Sequence, residues 1–198
     1  MVAERLGYLH VDSGSLYRAA TAAILRRSSD ASQWTEQAVL DAARPIELRP
    51  ARTSFYPAIE GRAIEDEIRG PDVTRNVSRV AQMPRVREWV NDKVRAAASS
   101  KDVVVDGRDM GTVVFPQADL KIFLVADSRE RAARRLRQRG TPTSQQTLDD
   151  ETIRIMERDA LDARQTVPAP DAVVIDTTGL TQQEQVEQIV ILSNQRSA

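Results

Sequence analysis

The clearest chemical signal in the chain is the run Asp106, Gly107, Arg108 and Asp109, which directly follows three valines. In an open α/β sheet, ligands bind beyond the carboxyl ends of the strands, so this charged pair is expected at a crevice. An arginine there can grip a phosphate or carboxylate through two N–H groups, and a neighbouring carboxylate can accept from a base or hydroxyl. The alternative is a salt bridge at the end of a strand.

A second candidate lies near the amino terminus, between Asp12 and Arg18. A short strand is predicted to end there in a glycine turn, and a helix is predicted to begin at Ser15. The start of a helix favours an anion, and Arg18, one turn inside, adds a full positive charge. The alternative is that Ser13 or Ser15 is a simple N-cap and that Arg18 is solvated.

A third candidate is Arg158 with Asp162, four residues apart and therefore on one face of a predicted helix. Ile153, Met156 and Ala160 fall on another face of that helix. An ion pair on a solvated helix is the alternative to a functional role.

Ser78 and Arg87 stand beside apolar helical stripes rather than on them, where they either line a cleft or are solvated.

A further helix is unusually rich in arginine. Such blocks can bind nucleic acid, but aromatic residues make up only 4% of the chain, so no stacking platform accompanies them. A solvated face, part of it turned toward a polyphosphate, is favoured. The arginines of this helix are Arg129, Arg131, Arg134, Arg135, Arg137 and Arg139.

Composition excludes several kinds of chemistry. The chain of 198 residues has no cysteine, which rules out thiol catalysis and thiolate metal sites and fits a reducing cytoplasm. Its one histidine, His10, rules out paired-histidine metal sites, and we expect it to be structural. The net charge of −1 gives no global field for nucleic acid, and neither a membrane-spanning run nor a signal peptide is visible. We therefore predict a cytoplasmic protein that binds small molecules, with no metal site of its own.

Alternating patterns predict the elements that position these residues. β-Branched runs indicate strands at Tyr8–Val11, Asp102–Val105, Leu120–Val125 and Ala172–Asp176, the last of them buried. Helices are predicted between the strands. The first ends at Gly7, and the next are Ser15–Arg27 and Ser32–Ala43, with Ser32 as N-cap. Two helices with valine stripes follow, then one capped by Ser128, one at Leu148–Arg164, and one opened by a Thr181–Glu184 capping box. Residues 45–66 form short strand-like pieces, predicted to be a small antiparallel insert. Strand and helix alternate elsewhere, so the fold class is α/β with a parallel sheet and helices on both faces.

These segments together resemble bacterial cytidylate kinases. The resemblance rests on Asp12-Ser13-Gly14 with Tyr17-Arg18, on Val80-Ala81 with Pro84-Arg85-Val86-Arg87, and on the run from Asp106 to Pro116. It implies a P-loop NTPase-like nucleoside monophosphate kinase fold, as a single kinase domain. The core would comprise residues 1–43, 102–139 and 166–198, the NMP-binding insert 44–101, and a helical lid 140–165.

The resemblance also implies an activity: ATP, with Mg²⁺, would phosphorylate CMP or dCMP in a monomeric enzyme. Ser78, Arg87 and Asp109 would read the cytosine, Arg18 and Arg108 would hold the CMP phosphate, and Arg158 and Asp162 would contact the sugar. Ser13 and Tyr17 complete the implied CMP site, and the implied catalytic residues are Arg18, Arg108 and Arg158. Phosphoryl transfer needs positioning and positive charge more than a nucleophile, which suits such a site. We expect the guanidinium groups at positions 18, 87 and 108 to converge on one nucleotide.

The sequence departs from the family in two places. It contains no G-x-x-x-x-G-K-[ST] loop, which would supply a backbone cradle for phosphates, a lysine and a hydroxyl for Mg²⁺; Lys93, Lys101 and Lys121 are not obvious substitutes. The family's central strand precedes that loop, so without it we expect exposed strand edges and marginal stability. One hypothesis is that Met1 is an internal methionine taken for the start, and another is a degenerate gene. The alternative function is a non-catalytic remnant that binds CMP.

The second departure lies in the lid. The family has an arginine where this chain has Gln165, and Arg164 comes one place early. One residue turns a helix by about 100°, so Arg164 is expected to point away from the cleft. We therefore predict a weakened lid.

Overall fold

The β-branched segments form two separate parallel pairs. In the computed structural model, which describes residues 1–196, β1 (Leu9–Asp12) lies beside β5 (Val103–Asp106), with Asp12 opposite Asp106. β6 (Ile122–Val125) likewise lies beside β7 (Val173–Asp176). All four strands begin and end within two residues of the predicted positions. The α/β class with parallel strand pairing is therefore confirmed.

The chain divides into two compact units, residues 3–107 and the residues from 108 onward. The helices of the first unit are α1 (Val2–Leu6), α2 (Ser13–Leu25), α3 (Glu36–Ala43), α4 (Glu65–Ile68), α5 (Pro71–Ala81) and α6 (Pro84–Ala98). Those of the second are α7 (Ser128–Gln138), α8 (Gln145–Asp162) and α9 (Gln182–Arg196). As predicted, α1 ends at Gly7, whose φ of 73° is open to glycine at little cost.

Apolar packing organises the first unit. Helix α2 buries most of its side chains, and Leu16 is 0% exposed. The predicted valine stripes face inward: Val73, Val77 and Val80 on α5, and Val86, Val90 and Val94 on α6, are all buried. Burial of this kind is the main favourable contribution to folding, so the first unit has a conventional hydrophobic core.

The predicted antiparallel segment forms a three-stranded sheet. β2 (Ile46–Pro50) pairs with β3 (Phe55–Ile59), which pairs with β4 (Arg62–Ala63). The turn between the last two strands is Glu60-Gly61, with φ of 51° and 79°, the positive pair that a tight two-residue hairpin requires.

The predicted helix caps at Ser32 and Ser128, and the alternative cap at Ser13 or Ser15, are wrong because in each case a nearby side chain caps instead. Asp12, rather than Ser13 or Ser15, caps α2 by accepting from the Ser15 N–H. Asp127 caps α7 in place of Ser128, since its carboxylate complements the helix dipole better than a hydroxyl does.

The helix predicted from Ser32 begins later. Asp30 caps a short 3₁₀ turn at Ala31–Gln33 and accepts from the Ser32 N–H. Helix α3 then starts at Glu36, with Thr35 as its cap. The Thr181–Glu184 capping box, by contrast, is confirmed at the start of α9.

The second unit is packed differently. Parallel strands are usually covered on both faces, yet Leu124 is 51% exposed and Val174 is 57% exposed. The prediction of a fully buried last strand is therefore wrong: in β7, Ile175 is buried while Val174 is not.

Helix α8 also turns its charged face inward. Glu151, Ile155 and Asp162 are buried, whereas Ile153 and Met156 are 55% and 57% exposed. Among residues 1–196, no helix has the length and apolar character needed to cross a membrane.

Candidate functional site

An open cavity of about 270 Å³ in the second unit is lined mainly by guanidinium groups. The arginines around it are Arg108, Arg131, Arg134, Arg135 and Arg158. The other lining residues are Gln138, Ile155 and Asp159, so one carboxylate faces five cations. We call this cavity the arginine pocket. Its charge and its many N–H donors suit an anion with several oxygens, such as a polyphosphate.

Arg108 and Arg158, two predicted site residues that line this pocket, both form ion pairs with a third, Asp162. Asp162 Oδ2 lies 3.1 Å from Nη2 of Arg108 and 3.6 Å from Nε of Arg158, and its side chain is 10% exposed. The alternative of a solvated ion pair is therefore wrong: the Arg158–Asp162 pair exists, but its carboxylate is buried. The structure thus brings together Arg108, Arg158 and Asp162, as a functional role requires.

The arginine-rich helix supplies further walls of the pocket, and the sequence did not indicate which of its arginines would face inward. Arg131 makes a two-pronged contact with Asp159, with Nη2 3.0 Å from Oδ1. Arg134 donates to the carbonyl oxygens of Thr177 and Leu180 and to the carboxylate of Glu130. Such anchoring fixes where the guanidinium groups point. The spacing of 131, 134 and 135 shows that they share one helix face, but it does not show that this face turns inward.

Arg135 forms an ion pair with Glu151, a buried residue that does not line the cavity. Its Nε lies 3.2 Å from Oε1 of Glu151, whose side chain is 3% exposed. Nη1 of Arg139 lies 3.5 Å from the same oxygen, and Nη1 of Arg154 lies 3.4 Å from Oε2. Burial, together with the neighbouring Arg139, lowers the pKa of Arg135 from its usual value. Nothing in the sequence indicated that Glu151 would lie beside the pocket.

Asp109 opens a π-helical turn, Met110–Val114, directly after Arg108. Its carbonyl oxygen accepts from the N–H of Val113 at 2.9 Å, and its side chain is buried, with the residue 7% exposed. Lys121 does not line the pocket; its Nζ donates to Asp171 and to the carbonyl of Pro116.

In the first unit, Arg18 is half-buried rather than solvated. Its Nη1 donates to the carbonyl of Ile68 at 3.3 Å and to Oγ1 of Thr74 at 3.2 Å. Because these contacts reach across to α4 and α5, the guanidinium is fixed between elements. The alternative of a solvated Arg18 is wrong.

Arg87 and Tyr17 also come together. The guanidinium carbon of Arg87 lies 5.9 Å from the centre of the Tyr17 ring, which is within cation–π range, and its Nη1 donates to the carbonyl of Ala81 at 3.1 Å. Ser78, on α5, is partly buried. Ser13 donates its hydroxyl to the carbonyl of Asp106 at 2.8 Å, which ties the start of α2 to the end of β5.

His10, within β1, forms an ion pair with Asp106, the last residue of β5. Its Nε2 lies 2.5 Å from Oδ1 of Asp106, and this bond raises the pKa of His10. Burial, reinforced by the charge of Asp106, raises the pKa of Asp12. These groups influence one another's charge at the edge where parallel sheets bind ligands.

The predicted lid residues follow the end of α8. The N–H of Gln165 donates to the carbonyl of Asp162 at 2.9 Å, which continues the turn beyond the helix. Arg164 is exposed. Neither residue lines the arginine pocket.

Parallel strand pairs with intervening helices define an α/β protein, and its arginine pocket has the charge and the donors that suit a phosphate group. Comparison with known proteins narrows this class. Residues 1–195 match the family model for cytidylate kinase, and the chain belongs to that family.

Curated relatives agree. The chain is 44% identical over 204 residues to a cytidylate kinase of Geobacillus kaustophilus (strain HTA426), covering 98% of this chain and 89% of that protein. It is 37% identical over 195 residues to one of Alkaliphilus oremlandii (strain OhILAs), covering 96% and 88%. It is 42% identical over 193 residues to one of Bordetella bronchiseptica (strain ATCC BAA-588 / NCTC 13252 / RB50), covering 96% and 85%.

Proposed function

We propose that this protein is a cytidylate kinase that transfers a phosphoryl group from ATP to CMP or dCMP. Membership of the family supports this assignment. The single observation that carries it is the arginine pocket, in which five guanidinium groups surround one cavity. Phosphoryl transfer is accelerated mainly by positioning and by positive charge around the moving group, which is what such a pocket supplies.

The roles divide between the two units. In the second, Arg108 would hold the phosphate of CMP, while Arg158 and Asp162, which share one contact network, would hold its sugar. Arg131, Arg134 and Arg135 would receive the phosphates of the donor. The carboxylates and carbonyls that hold these arginines keep their N–H groups pre-oriented, so less conformational entropy is lost when the anion binds.

The first unit would recognise the cytosine end. Ser78 and Arg87 would hydrogen-bond the base together with Asp109, and Arg18 would add a second charge on the phosphate. The cation–π contact of Arg87 with Tyr17 fixes the direction of that guanidinium before ligand arrives. Ser13 would contribute through the turn that it ties to β5. Convergence of positions 18, 87 and 108 on one nucleotide is part of this proposal.

Mg²⁺ would enter with the donor rather than occupy a site made by the protein alone. Within residues 1–196 no three His, Asp or Glu side chains are placed to hold a metal ion together. Mg²⁺ in phosphoryl-transfer enzymes is bound largely by substrate phosphates and water. We therefore propose Mg·ATP as the donor species.

A second candidate function is a CMP-binding protein that does not hold ATP. The observation in its favour is the lack of a G-x-x-x-x-G-K-[ST] loop in the sequence. That loop ordinarily cradles the donor phosphates with backbone N–H groups and a lysine. The arginine pocket would then bind the acceptor nucleotide alone.

A coupled assay for ADP formation, with CMP and Mg·ATP, tests the proposal. Calorimetric titrations with CMP and with a non-hydrolysable ATP analogue accompany it. ADP formation that depends on CMP, with binding of both nucleotides, supports the kinase. Binding of CMP alone supports the second candidate. Binding of neither nucleotide by a folded protein contradicts both.

A further inference from the structure

The least exposed charged side chain around the arginine pocket is one that a ligand would not touch. Glu151, on α8, has its carboxylate 3% exposed and paired with Arg135, Arg139 and Arg154. We propose that Glu151 is an internal counter-anion that acts through Arg135 and lowers the affinity of the pocket for phosphate groups. The inference rests on the proposed phosphate-binding role of that pocket.

Burial shows why this carboxylate is more than a surface charge. Removing a carboxylate from water is costly, and only close cations offset the cost. Three cations are close to Glu151: Arg135 on α7, Arg139 directly after α7, and Arg154 on the same helix as Glu151. A purely apolar residue of similar size would fill the same space without this cost. The charge is therefore expected to have a function beyond packing.

The geometry places Glu151 behind the pocket wall. It meets Arg135 at Nε, while Arg135 itself lines the cavity. Ile155, one turn along α8 from Glu151, lines the cavity as well. The carboxylate thus lies close enough to oppose an anion in the pocket, yet it is screened little because it is buried.

The sign of the effect follows from Coulomb's law. An anion entering the pocket is attracted by the five arginines and repelled by Glu151. Replacing the carboxylate by a neutral amide of the same shape removes the repulsion and leaves Arg135 with its full field. At the effective dielectric of partly buried sites, one unit charge within several ångströms changes affinity by about tenfold or more.

A merely structural clamp predicts the opposite sign for binding. If Glu151 only held α7 against α8, its loss would loosen the arginines, and both stability and anion affinity would fall. The counter-anion role predicts that stability falls, because guanidinium groups lose their partner, while affinity rises. The two readouts together therefore distinguish the roles.

The test uses inorganic tripolyphosphate as the probe, titrated by calorimetry into the full chain, alongside thermal unfolding. Glu151→Gln is expected to bind about tenfold more tightly than the unmodified chain, with a melting temperature roughly 5–15 °C lower. Glu151→Asp, which keeps the charge, is expected to keep the original affinity. Arg135→Gln is expected to weaken binding, which locates the probe in the pocket.

Asp149→Asn is the matched control. Asp149 also lies on α8 and joins it to α7, through Arg129 at 2.6 Å, but Arg129 does not line the pocket. The change in charge is the same, and affinity is expected to stay within about twofold. If Glu151→Gln alone does not fold, the comparison is made in the Arg139→Gln background, where one surplus cation has been removed.

Weaker or unchanged binding by Glu151→Gln overturns the proposal, as does an equal gain in the Asp149→Asn control. Absence of binding in every variant overturns it too. The probe needs no phosphoryl transfer, so the outcome is independent of the kinase assay. The predicted order of affinities without ADP formation would retain the counter-anion and reject the kinase; ADP formation with unchanged affinities would do the reverse.

Discussion

The helices of the two units are held together by different forces. In the first, α2, α5 and α6 pack through side chains such as Leu16, Val80 and Val90, all 0% exposed. In the second, α7 and α8 bury a few apolar residues but are also joined by ion pairs: Arg131 with Asp159, and Arg135 with Glu151. Apolar burial stabilises without regard to function, whereas partly buried ion pairs contribute little net stability. Charged contacts therefore stand out where α7 meets α8, and apolar burial stands out in the first unit.

Loss of a core side chain in the first unit is expected to destabilise the protein most. Leu16→Ala removes a fully buried side chain and is expected to lower the free energy of unfolding by about 2–5 kcal/mol. Because no charge is involved, the loss should be the same at low and at high salt. Urea unfolding at two salt concentrations measures it, and a loss that shrinks markedly in high salt would contradict the assignment.

The charged interface should respond in the opposite way. In a double-mutant cycle, Arg131→Gln and Asp159→Asn are expected to show a coupling of at most about 1 kcal/mol, since both side chains are about one-third exposed. This coupling should fall as salt rises, because partly exposed pairs are screened. A coupling that does not change with salt would mean that packing, rather than charge, joins these residues.

Asn91 is a buried polar side chain of the first unit whose replacement tests the apolar packing there. Asn91, on α6, is 6% exposed, and its Oδ1 has no hydrogen-bond partner in the described part of the chain. An unsatisfied buried acceptor costs free energy, so Asn91→Leu is expected to stabilise the protein by about 1 kcal/mol. Thermal unfolding measures the gain, and Asn76→Leu, at a partly exposed position of α5, serves as the control. Destabilisation by Asn91→Leu would show that the amide is needed where it lies.

The smallest effect concerns pH. Asp106 raises the pKa of His10 above its usual 6.5, so the pair stabilises the folded state fully below that value. The contribution is lost as pH rises through the raised pKa. Because the His10 side chain is 43% exposed, the loss should stay below about 1 kcal/mol. His10→Gln should flatten the profile of stability above pH 6.5; an unchanged slope would contradict the pairing.

Much of the fold could be predicted because its signals are local. Valines at helical spacing face the core of the first unit, Gly7 ends α1, and Thr181 with Glu184 opens α9. The helix starts at Asp12 and Asp127 were missed because serine and aspartate stood side by side, and only the folded backbone decides which oxygen reaches the free N–H groups.

The site was harder to predict for a physical reason. Arg108, Arg158 and Asp162 could be named from their segments, and they do meet. Arg131 and Arg135 were named only as members of a basic helix, because a run of arginines has no apolar period to show which face turns inward. Glu151 was not indicated at all. The inward face of α8 is set by partners on α7, which are contacts between elements rather than a pattern within one.

The most direct test of the account asks whether the arginine pocket binds phosphate groups. Binding of inorganic tripolyphosphate is measured for the unmodified chain, for Arg108→Gln in the pocket and for Arg129→Gln outside it. We expect about a tenfold loss of affinity for Arg108→Gln, because one charged donor pair is removed, and a change within about twofold for Arg129→Gln. Equal losses in the two variants would mean that affinity depends only on the net charge of the protein, and would contradict a specific anion site in the arginine pocket.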